Sequence, residues 1–238
     1  MRRSISVLAV IVLMLGAAVS SAQARSVART PRHKLGRGTS TNWSGYAVDG
    51  TGATQVTATW TEPSVKCAPG ENSWSSPWVG IDGNTDNTVE QTGTDADCSA
   101  GHASYYAWYE MYPKGLVVLK MAVNPGNTFT GSVTYNAGIF TLKLKDNTTG
   151  VTASESLSSN KAQRTSVEWI EEGPSSGLLS DFGSVPFSAA SATINGTTAG
   201  LSSFKSALPI TMASGTGTVR AQPSMLTSNA FSVAWTHA

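Results

Sequence analysis

The stretch Phe129-Thr-Gly-Ser-Val-Thr-Tyr135, followed closely by Ile139-Phe-Thr-Leu-Lys-Leu-Lys145, alternates between a polar set of positions and a more apolar one. A period of two sends successive side chains to opposite faces, which is typical of β-strands with one buried face. The second run leads into Asp146-Asn147, a turn signal that predicts entry to a hairpin. This part of the chain therefore predicts antiparallel β-structure.

The same pattern recurs along the chain between Gly-, Pro- and Asn-containing turns. Further predicted strands are Gln55–Trp60, Ser104–Glu110, Val117–Val123 and Ser166–Glu171. Ser, Thr, Gly, Val and aromatic residues dominate, whereas the Ala/Leu/Glu/Lys mixture typical of helices is scarce. Roughly a dozen short strands predict one all-β domain over residues 38–238, built as a sandwich of two antiparallel sheets.

The first 24 residues have the pattern of a secretory signal peptide. Arg2 and Arg3 precede a largely apolar run from Ile5 to Val19, and Ala22-Gln23-Ala24 fits a small-residue cleavage site. The apolar run is short for a membrane anchor, which is the alternative interpretation. We therefore expect a secreted protein with no membrane partner.

Charge is distributed unevenly between the start of the chain and the rest. The whole chain has 16 Lys and Arg against 15 Asp and Glu, a formal charge of +1. Residues 1–37 contain seven of the basic residues and no acid, so residues 38–238 keep 9 basic and 15 acidic side chains, a formal charge of −6. An acidic body speaks against a nucleic-acid binder.

Residues 25–37 form a basic segment with little apolar material. Its five basic residues are Arg25, Arg29, Arg32, Lys34 and Arg37. Such a segment cannot fold alone. It is either a solvated linker or a pro-segment that lies across an acidic surface and holds the protein inactive, and the sequence leaves both open.

Cysteine and histidine are scarce, and this limits the kinds of catalytic and metal site that the chain can form. The two cysteines, Cys67 and Cys98, predict one disulfide in an exported protein. Residues 38–238 contain only two histidines, His102 and the penultimate His237, which leaves few candidates for the base of a serine triad. Too few ligands remain for a zinc site, so we expect no metal and no cofactor. An acid/base group would then be Asp or Glu.

Four strand-like segments carry polar groups among aromatic residues. Alternation places Gln91 on one face with Asp95, Trp108 with Glu110, and Glu168 with Glu172. Taken singly, each segment is most simply an ordinary strand with a solvated polar face. The four together indicate a functional surface.

These segments, in order, resemble the glutamic peptidases, or eqolisins. The matching motifs are Thr41-Asn-Trp-Ser-Gly-Tyr-Ala47, Trp78-Val-Gly-Ile-Asp-Gly83, Gln91-Thr-Gly93 with Asp95, Ala107-Trp-Tyr-Glu110 with Tyr112-Pro113, and Glu168-Trp-Ile170. The resemblance implies two long, curved antiparallel sheets with a substrate cleft on the concave face. It also implies an acid-acting endopeptidase that uses one glutamine and one glutamate.

Carried over by position, the resemblance assigns catalysis to Gln91 and Glu168. Trp78, Asp82, Asp95, Trp108 and Glu110 match positions that line or support the family's cleft. Two departures stand out. Tyr106 replaces an aspartate found in some members, and Glu171-Glu172-Gly173 replaces the usual apolar-Glu-Asp, which makes Glu172 the rival for the glutamate role.

In the implied mechanism the glutamate takes a proton from water, and the glutamine amide donates to the oxyanion without adding negative charge. The alternative function is a carbohydrate-binding or glycoside-hydrolysing sandwich that uses Glu110 and Glu168 as a carboxylate pair. Nothing in a glycosidase requires the glutamine, which favours the peptidase. Polypeptide substrates and a monomer are the default expectations.

Overall fold

A computed structural model describes residues 29–174 and 176–238 of the chain. The predicted signal peptide, residues 1–24, and the first four residues of the basic segment lie outside this described part. Within it, no helix is long and apolar enough to cross a membrane.

The described residues form nineteen β-strands and one 3₁₀ turn, Leu201–Ser203. The strands up to the middle of the chain are β1 Lys34–Gly36, β2 Thr39–Ser40, β3 Trp43–Asp49, β4 Ala53–Thr61, β5 Ser73–Trp74, β6 Ser76–Ile81, β7 Val89–Ser99, β8 His102–Tyr112, β9 Val117–Val118 and β10 Thr128–Asn136. The remainder are β11 Ile139–Asp146, β12 Thr152–Ser158, β13 Ser166–Glu172, β14 Leu178–Leu179, β15 Ser184–Ile194, β16 Thr197–Gly200, β17 Leu208–Ala213, β18 Val219–Pro223 and β19 Phe231–Trp235.

The strands build two sheets that share one strand. Sheet A runs β12–β11–β10–β4–β15–β19–β18–β17, and sheet B runs β17–β3–β13–β6–β7–β8–β9. Strand β17 pairs with β3 through Leu208–Ile210 and with β18 through Met212–Ala213, so it joins the sheets along one side. Nearly all pairings are antiparallel; β5–β14 and β2–β17 are parallel. The predicted two-sheet antiparallel sandwich is confirmed.

The main hydrophobic core lies between the sheets. Trp60 of β4 stands at its centre, with the Phe129 and Phe187 rings at centroid distances of 6.5 and 6.1 Å. Gly131 makes room for this indole, because a Cβ there would lie 2.7 Å from the Trp60 ring. Strands β4 and β11 alternate buried and more exposed residues as their sequences predict.

Strands β7 and β13 are buried on both faces almost throughout. One face of each packs into the core, so a second layer of side chains must cover the other face. That second layer is a separate cluster built around Trp43, Trp78 and Trp108. The functional surface expected from the sequence therefore lies on the outer side of sheet B, away from the main core.

Two local expectations have different outcomes. Cys67 and Cys98 form the predicted disulfide, with Cα atoms 5.5 Å apart. The strand expected over Val117–Val123 is wrong in extent, because only Val117–Val118 pairs with β8. Beyond it the chain leaves the sheet edge and buries Leu119 and Val123 in the core, so the apolar residues serve packing rather than pairing.

Candidate active site

Gln91 and Glu110 stand directly opposite each other on β7 and β8, on the outer face of sheet B. The Gln91 side-chain amide donates from Nε2 to Glu110 Oε2 at 2.8 Å. Both side chains are buried. The contact brings together two residues that the sequence placed in separate motifs.

Two glycines make space for the indoles beside this pair. A Cβ on Gly80 would lie 2.9 Å from the Trp78 ring and 3.2 Å from Gln91 Cβ. A Cβ on Gly93 would lie 2.6 Å from Trp78 Cβ and 3.0 Å from the Trp108 ring. The glycines in the Trp-Val-Gly and Gln-Thr-Gly motifs are therefore needed for close packing around the site.

Glu172 ends β13 in the same indole cluster. Its Oε2 accepts a 2.9 Å hydrogen bond from Trp78 Nε1, and Asn42 Nδ2 lies 3.5 Å from Oε1. Burial raises the pKa of Glu172 to about 7, and the positive charge of Arg29 opposes that rise. Burial, followed by the charge of Glu172, raises the pKa of Glu110 to about 8. The charge of Glu172 therefore acts on Glu110, the carboxyl group that accepts the hydrogen bond from Gln91.

Glu168 has a different environment. Register places it two strands from Gln91 with Gly80 between them, but the Trp78 ring lies over Gly80 and fills that gap. Burial raises its pKa, the Ser166 hydroxyl opposes the rise without reaching full hydrogen-bond geometry, and the nearby charges of Asp82, Asp86 and Asp49 add to it. These acids belong to the far end of the sheet. The geometry therefore does not support the sequence-based preference for Glu168 and favours its rival Glu172.

Asp82 supports the site from a distance rather than lining it. Its carboxylate accepts backbone N–H groups of Gln163, Arg164 and Thr165 at 2.7–2.9 Å. Burial raises its pKa to about 6. Asp82 therefore fixes the loop that leads into β13.

The basic segment reaches into the site. Arg29 is fully buried; its guanidinium donates to Asp95 and lies over Trp108, 5.5 Å from the ring centroid. Burial alone would lower the pKa of Arg29, but Asp95 and Glu172 raise it above its ordinary value. The Tyr106 hydroxyl also donates to Asp95. Tyr106 thus supports the ion pair between Arg29 and Asp95.

Residues after Arg29 continue across the same surface. The Thr30 backbone N–H points at Glu172 Oε1 at 3.4 Å, and the His33 N–H donates to Asn42 Oδ1 at 2.9 Å. The Arg32 guanidinium donates to Asn84 Oδ1 at 3.0 Å. Residues 29–33, hereafter the leader, are therefore not a solvated linker but cover the outer face of sheet B.

Several participants were missed by the sequence reasoning. Trp43 lies inside a quoted motif, and its ring meets Trp78 edge-on with centroids 4.9 Å apart. Asp97 lies two residues beyond Asp95, so alternation could have placed it on the same face. Glu62 and Glu171 lie in the core behind the site, and burial raises both pKa values well above normal. No alternation signal marks a buried carboxyl of this kind.

Metal chemistry finds no support in the arrangement of side chains. Across residues 29–174 and 176–238, no group of three or more His, Cys, Asp or Glu residues is placed to hold a metal ion. The site contains an amide donor paired with one carboxyl, Glu110, and a second carboxylate, Glu172, that accepts from an indole N–H. Such groups suit proton transfer and stabilisation of a developing oxyanion.

Comparison with known proteins is consistent with this chemistry. The sequence profile of the Peptidase A4 family matches residues 41–235. Aspergillopepsin-2 of Aspergillus niger is 34% identical over 198 residues, covering 68% of this chain and 67% of the relative. Scytalidopepsin B of Scytalidium lignicola is 33% identical over 172 residues, covering 64% of this chain and 60% of the relative. A solved structure of scytalido-glutamic peptidase with a peptide-based transition state analog has a TM-score of 0.71 at 25% identity, covering 82% of this chain and 98% of the other.

Proposed function

This chain belongs to the peptidase A4 family, and on that premise we propose that it is a secreted endopeptidase that cleaves polypeptides at acidic pH, with Glu172 as general base and Gln91 as oxyanion donor. The family and the glutamic type of peptidase, both expected from the motifs, are confirmed by the profile match and the relatives. Because the chain spans 67% and 60% of the length of the two curated relatives, activity of the whole protein stays part of the proposal.

The observation that carries the proposal is the hydrogen bond from Trp78 to Glu172 beside the Gln91–Glu110 pair, where the charge of Glu172 raises the pKa of Glu110. A general base must be ionised at the working pH, and its pKa should lie close to that pH. Burial is the largest cause of the raised pKa of Glu172. The charge of Arg29 and the hydrogen bond from Trp78 oppose that rise, so both favour the ionised form that takes a proton from water.

The reaction then follows from the groups in place. Glu172 takes a proton from water, and the hydroxide attacks the scissile carbonyl carbon. The Gln91 amide donates a hydrogen bond to the oxyanion, and because it cannot ionise it adds no competing charge. The C–N bond breaks as Glu172 returns the proton to the leaving nitrogen. No cofactor enters any step.

The assignment is tested by paired isosteric variants of the two candidate glutamates. Glu172→Gln should abolish cleavage of an acid-denatured protein at pH 3–4, whereas Glu168→Gln should retain most of it. Both variants should keep the circular dichroism spectrum of the wild type. Loss of activity in Glu168→Gln alone would return the catalytic role to Glu168.

The leader supplies a second part of the proposal, in which it blocks the mature site near neutral pH. Arg29 lies against Asp95 and Glu172, and the Thr30 N–H faces Glu172. The positive charge of Arg29 lowers the pKa of Glu172, so protonation of Glu172 at low pH weakens the attraction between the two side chains. The leader would then separate from the cleft and admit substrate.

A synthetic peptide of residues 25–37 tests this part. It should inhibit the mature enzyme at pH 6 in low salt and lose potency at pH 3.5. The same peptide with Arg29→Met should inhibit much less, while Arg37→Met should match the parent because Arg37 is exposed. Equal potency of the two variants would show that the Arg29 contact is not inhibitory.

The carbohydrate alternative can be tested alongside. A glycosidase needs two carboxylates placed about the scissile bond. Here Glu110 accepts from Gln91, and Glu168 is separated from that pair by the Trp78 ring. We therefore expect hydrolysis of protein and none of polysaccharide at pH 3–4.

A further inference from the structure

The contact between Gln91 and Glu110 leaves one hydrogen-bonding group of the amide unused. Gln91 Nε2 donates to Glu110 Oε2 at 2.8 Å, but the buried Gln91 Oε1 has no hydrogen-bond partner among the described residues. A primary amide carries two N–H protons and one acceptor oxygen. One proton is engaged by Glu110, the second is free, and the oxygen lacks a donor.

A neutral carboxylic acid is the group that completes this arrangement. Its carbonyl oxygen accepts one amide proton, and its O–H donates to the amide oxygen, so the two planar groups form a closed ring of two hydrogen bonds. Burial, followed by the nearby charge of Glu172, raises the pKa of Glu110 to about 8. Glu110 is therefore neutral throughout the acidic range in which a peptidase of this type works.

Orientation of the amide matters because its two ends have opposite polarity. In one flip the free N–H is presented to the cleft, and in the other the carbonyl oxygen is presented, which would repel an oxyanion. An ionised Glu110 would also be a second negative charge close to that oxyanion. A neutral carboxyl avoids this repulsion and, by pairing with both ends of the amide, fixes the plane in which the amide lies.

We propose that Glu110 is a positioning residue for Gln91: as a neutral carboxylic acid it pairs with the amide and holds it so that the free N–H points at the oxyanion. This role rests on the proposed function, because it acts through the oxyanion donor. Glu110 contacts neither the water nor the scissile bond in this role and exchanges no proton with them. Its contribution is confined to the geometry of Gln91.

The experiment compares Glu110→Gln with Glu110→Met. A glutamine has the same shape and can both donate and accept, so Glu110→Gln should keep kcat within about threefold of the wild type. Methionine has similar volume and cannot pair with the amide, so kcat should fall about 10- to 100-fold with KM nearly unchanged, part of the loss typical of an oxyanion donor. The affinity of a peptide transition-state analogue should fall in the same proportion as kcat/KM.

A double-mutant cycle separates positioning from a merely structural role. In a Gln91→Ala background the oxyanion donor is absent, so Glu110→Met should cause no further loss of kcat. Additive losses would overturn the proposal, as would a wild-type kcat in Glu110→Met. Failure of Glu110→Gln would also overturn it, because that result requires an ionisable acid at position 110.

The same variants distinguish a failure of the proposed function from a failure of the positioning role alone. If Gln91→Ala retains the wild-type rate, the proposed function fails. If Gln91→Ala is inactive and Glu110→Met is not, only the positioning role fails. Should Glu110→Met not reach the native fold, Glu110→Gln and the analogue affinity still decide the matter.

Discussion

The indole N–H of Trp78 donates a 2.9 Å hydrogen bond to Oε2 of Glu172, which ties the proposed base to the centre of the tryptophan cluster. This bond stabilises the carboxylate form and fixes the direction of its second oxygen. It is also the contact that distinguishes Glu172 from Glu168, whose oxygens have no such partner among the described residues.

Removal of this bond should weaken catalysis and shift its pH dependence. In Trp78→Phe the carboxylate loses a hydrogen bond of the charged type, worth about 1.5–3 kcal/mol, so kcat should fall about 10- to 100-fold. The pKa of Glu172 should rise, and the acidic limb of the kcat profile should move to higher pH. Trp108→Phe is the matched control, since its N–H goes to the Ser76 hydroxyl. Equal shifts of both acidic limbs would contradict the prediction.

Stability should fall steeply as pH rises, because of the carboxyls buried in the core. Burial raises the folded-state pKa of Glu171 well above its unfolded value, and the charge of Glu62 raises it further. A group of this kind stabilises fully below its unfolded pKa and loses that contribution as pH rises toward the folded pKa. The slope is about 1.4 kcal/mol per pH unit for each such group.

Glu171→Gln should therefore flatten the decline in stability above pH 4.5. Urea unfolding at pH 4, 5.5 and 7 would measure it, and the variant should lose less stability than the wild type between pH 4 and 7. Exposed Glu155 provides the control, because Glu155→Gln should follow the wild-type curve. Parallel curves for the wild type and Glu171→Gln would show that Glu171 does not cause the decline.

In the full chain, Arg29 should set the pH at which activity appears as the solution is acidified. Arg29→Met removes the partner of Asp95, so activity should appear at a higher pH than in the wild type. A pH series with a quenched peptide substrate would measure the midpoint of activation. Arg37→Met should leave it unchanged, and an identical midpoint in all three chains would count against leader control.

Close packing at Gly93 should not tolerate a methyl group. A Cβ there would come within 2.4 Å of the Pro77 carbonyl oxygen, which lies on the backbone and cannot move aside freely. Gly93→Ala should lower the free energy of unfolding by about 1–3 kcal/mol or more and disturb both neighbouring indoles. Gly115→Ala, where no atom lies within 4 Å, should be neutral by thermal melting. Similar melting points for the two variants would contradict the packing argument.

The fold was readable from the sequence because alternation is a local property. Strands β10 and β11 follow the polar and apolar alternation residue by residue, and their pairing needs no distant information. The prediction of a strand over Val117–Val123 was wrong beyond Val118 because the apolar residues Leu119 and Val123 pack into the core without belonging to a strand. A run of apolar residues does not reveal whether the chain is paired or only packed.

The site was less predictable, since its decisive contacts join distant segments. Glu168 and Glu172 lie on one face of the same strand, and alternation cannot rank them. The ranking comes from Trp78, whose ring lies over Gly80 beside one glutamate while its N–H reaches the other. The burial of Arg29 could not be predicted either, because the basic segment has no alternation of polar and apolar residues that would indicate its contact with Asp95.

Strand β7 alternates residues of the proposed active site with residues of the core, and this makes its spacing inflexible. Gln91, Gly93 and Asp95 face the cleft, while Thr92, Thr94 and Ala96 face the other sheet. Insertion or deletion of a single residue within the strand would exchange the two sets and bury the amide donor in the core. Substitutions can therefore retune this enzyme one face at a time, whereas a change of length here would abolish folding and catalysis together.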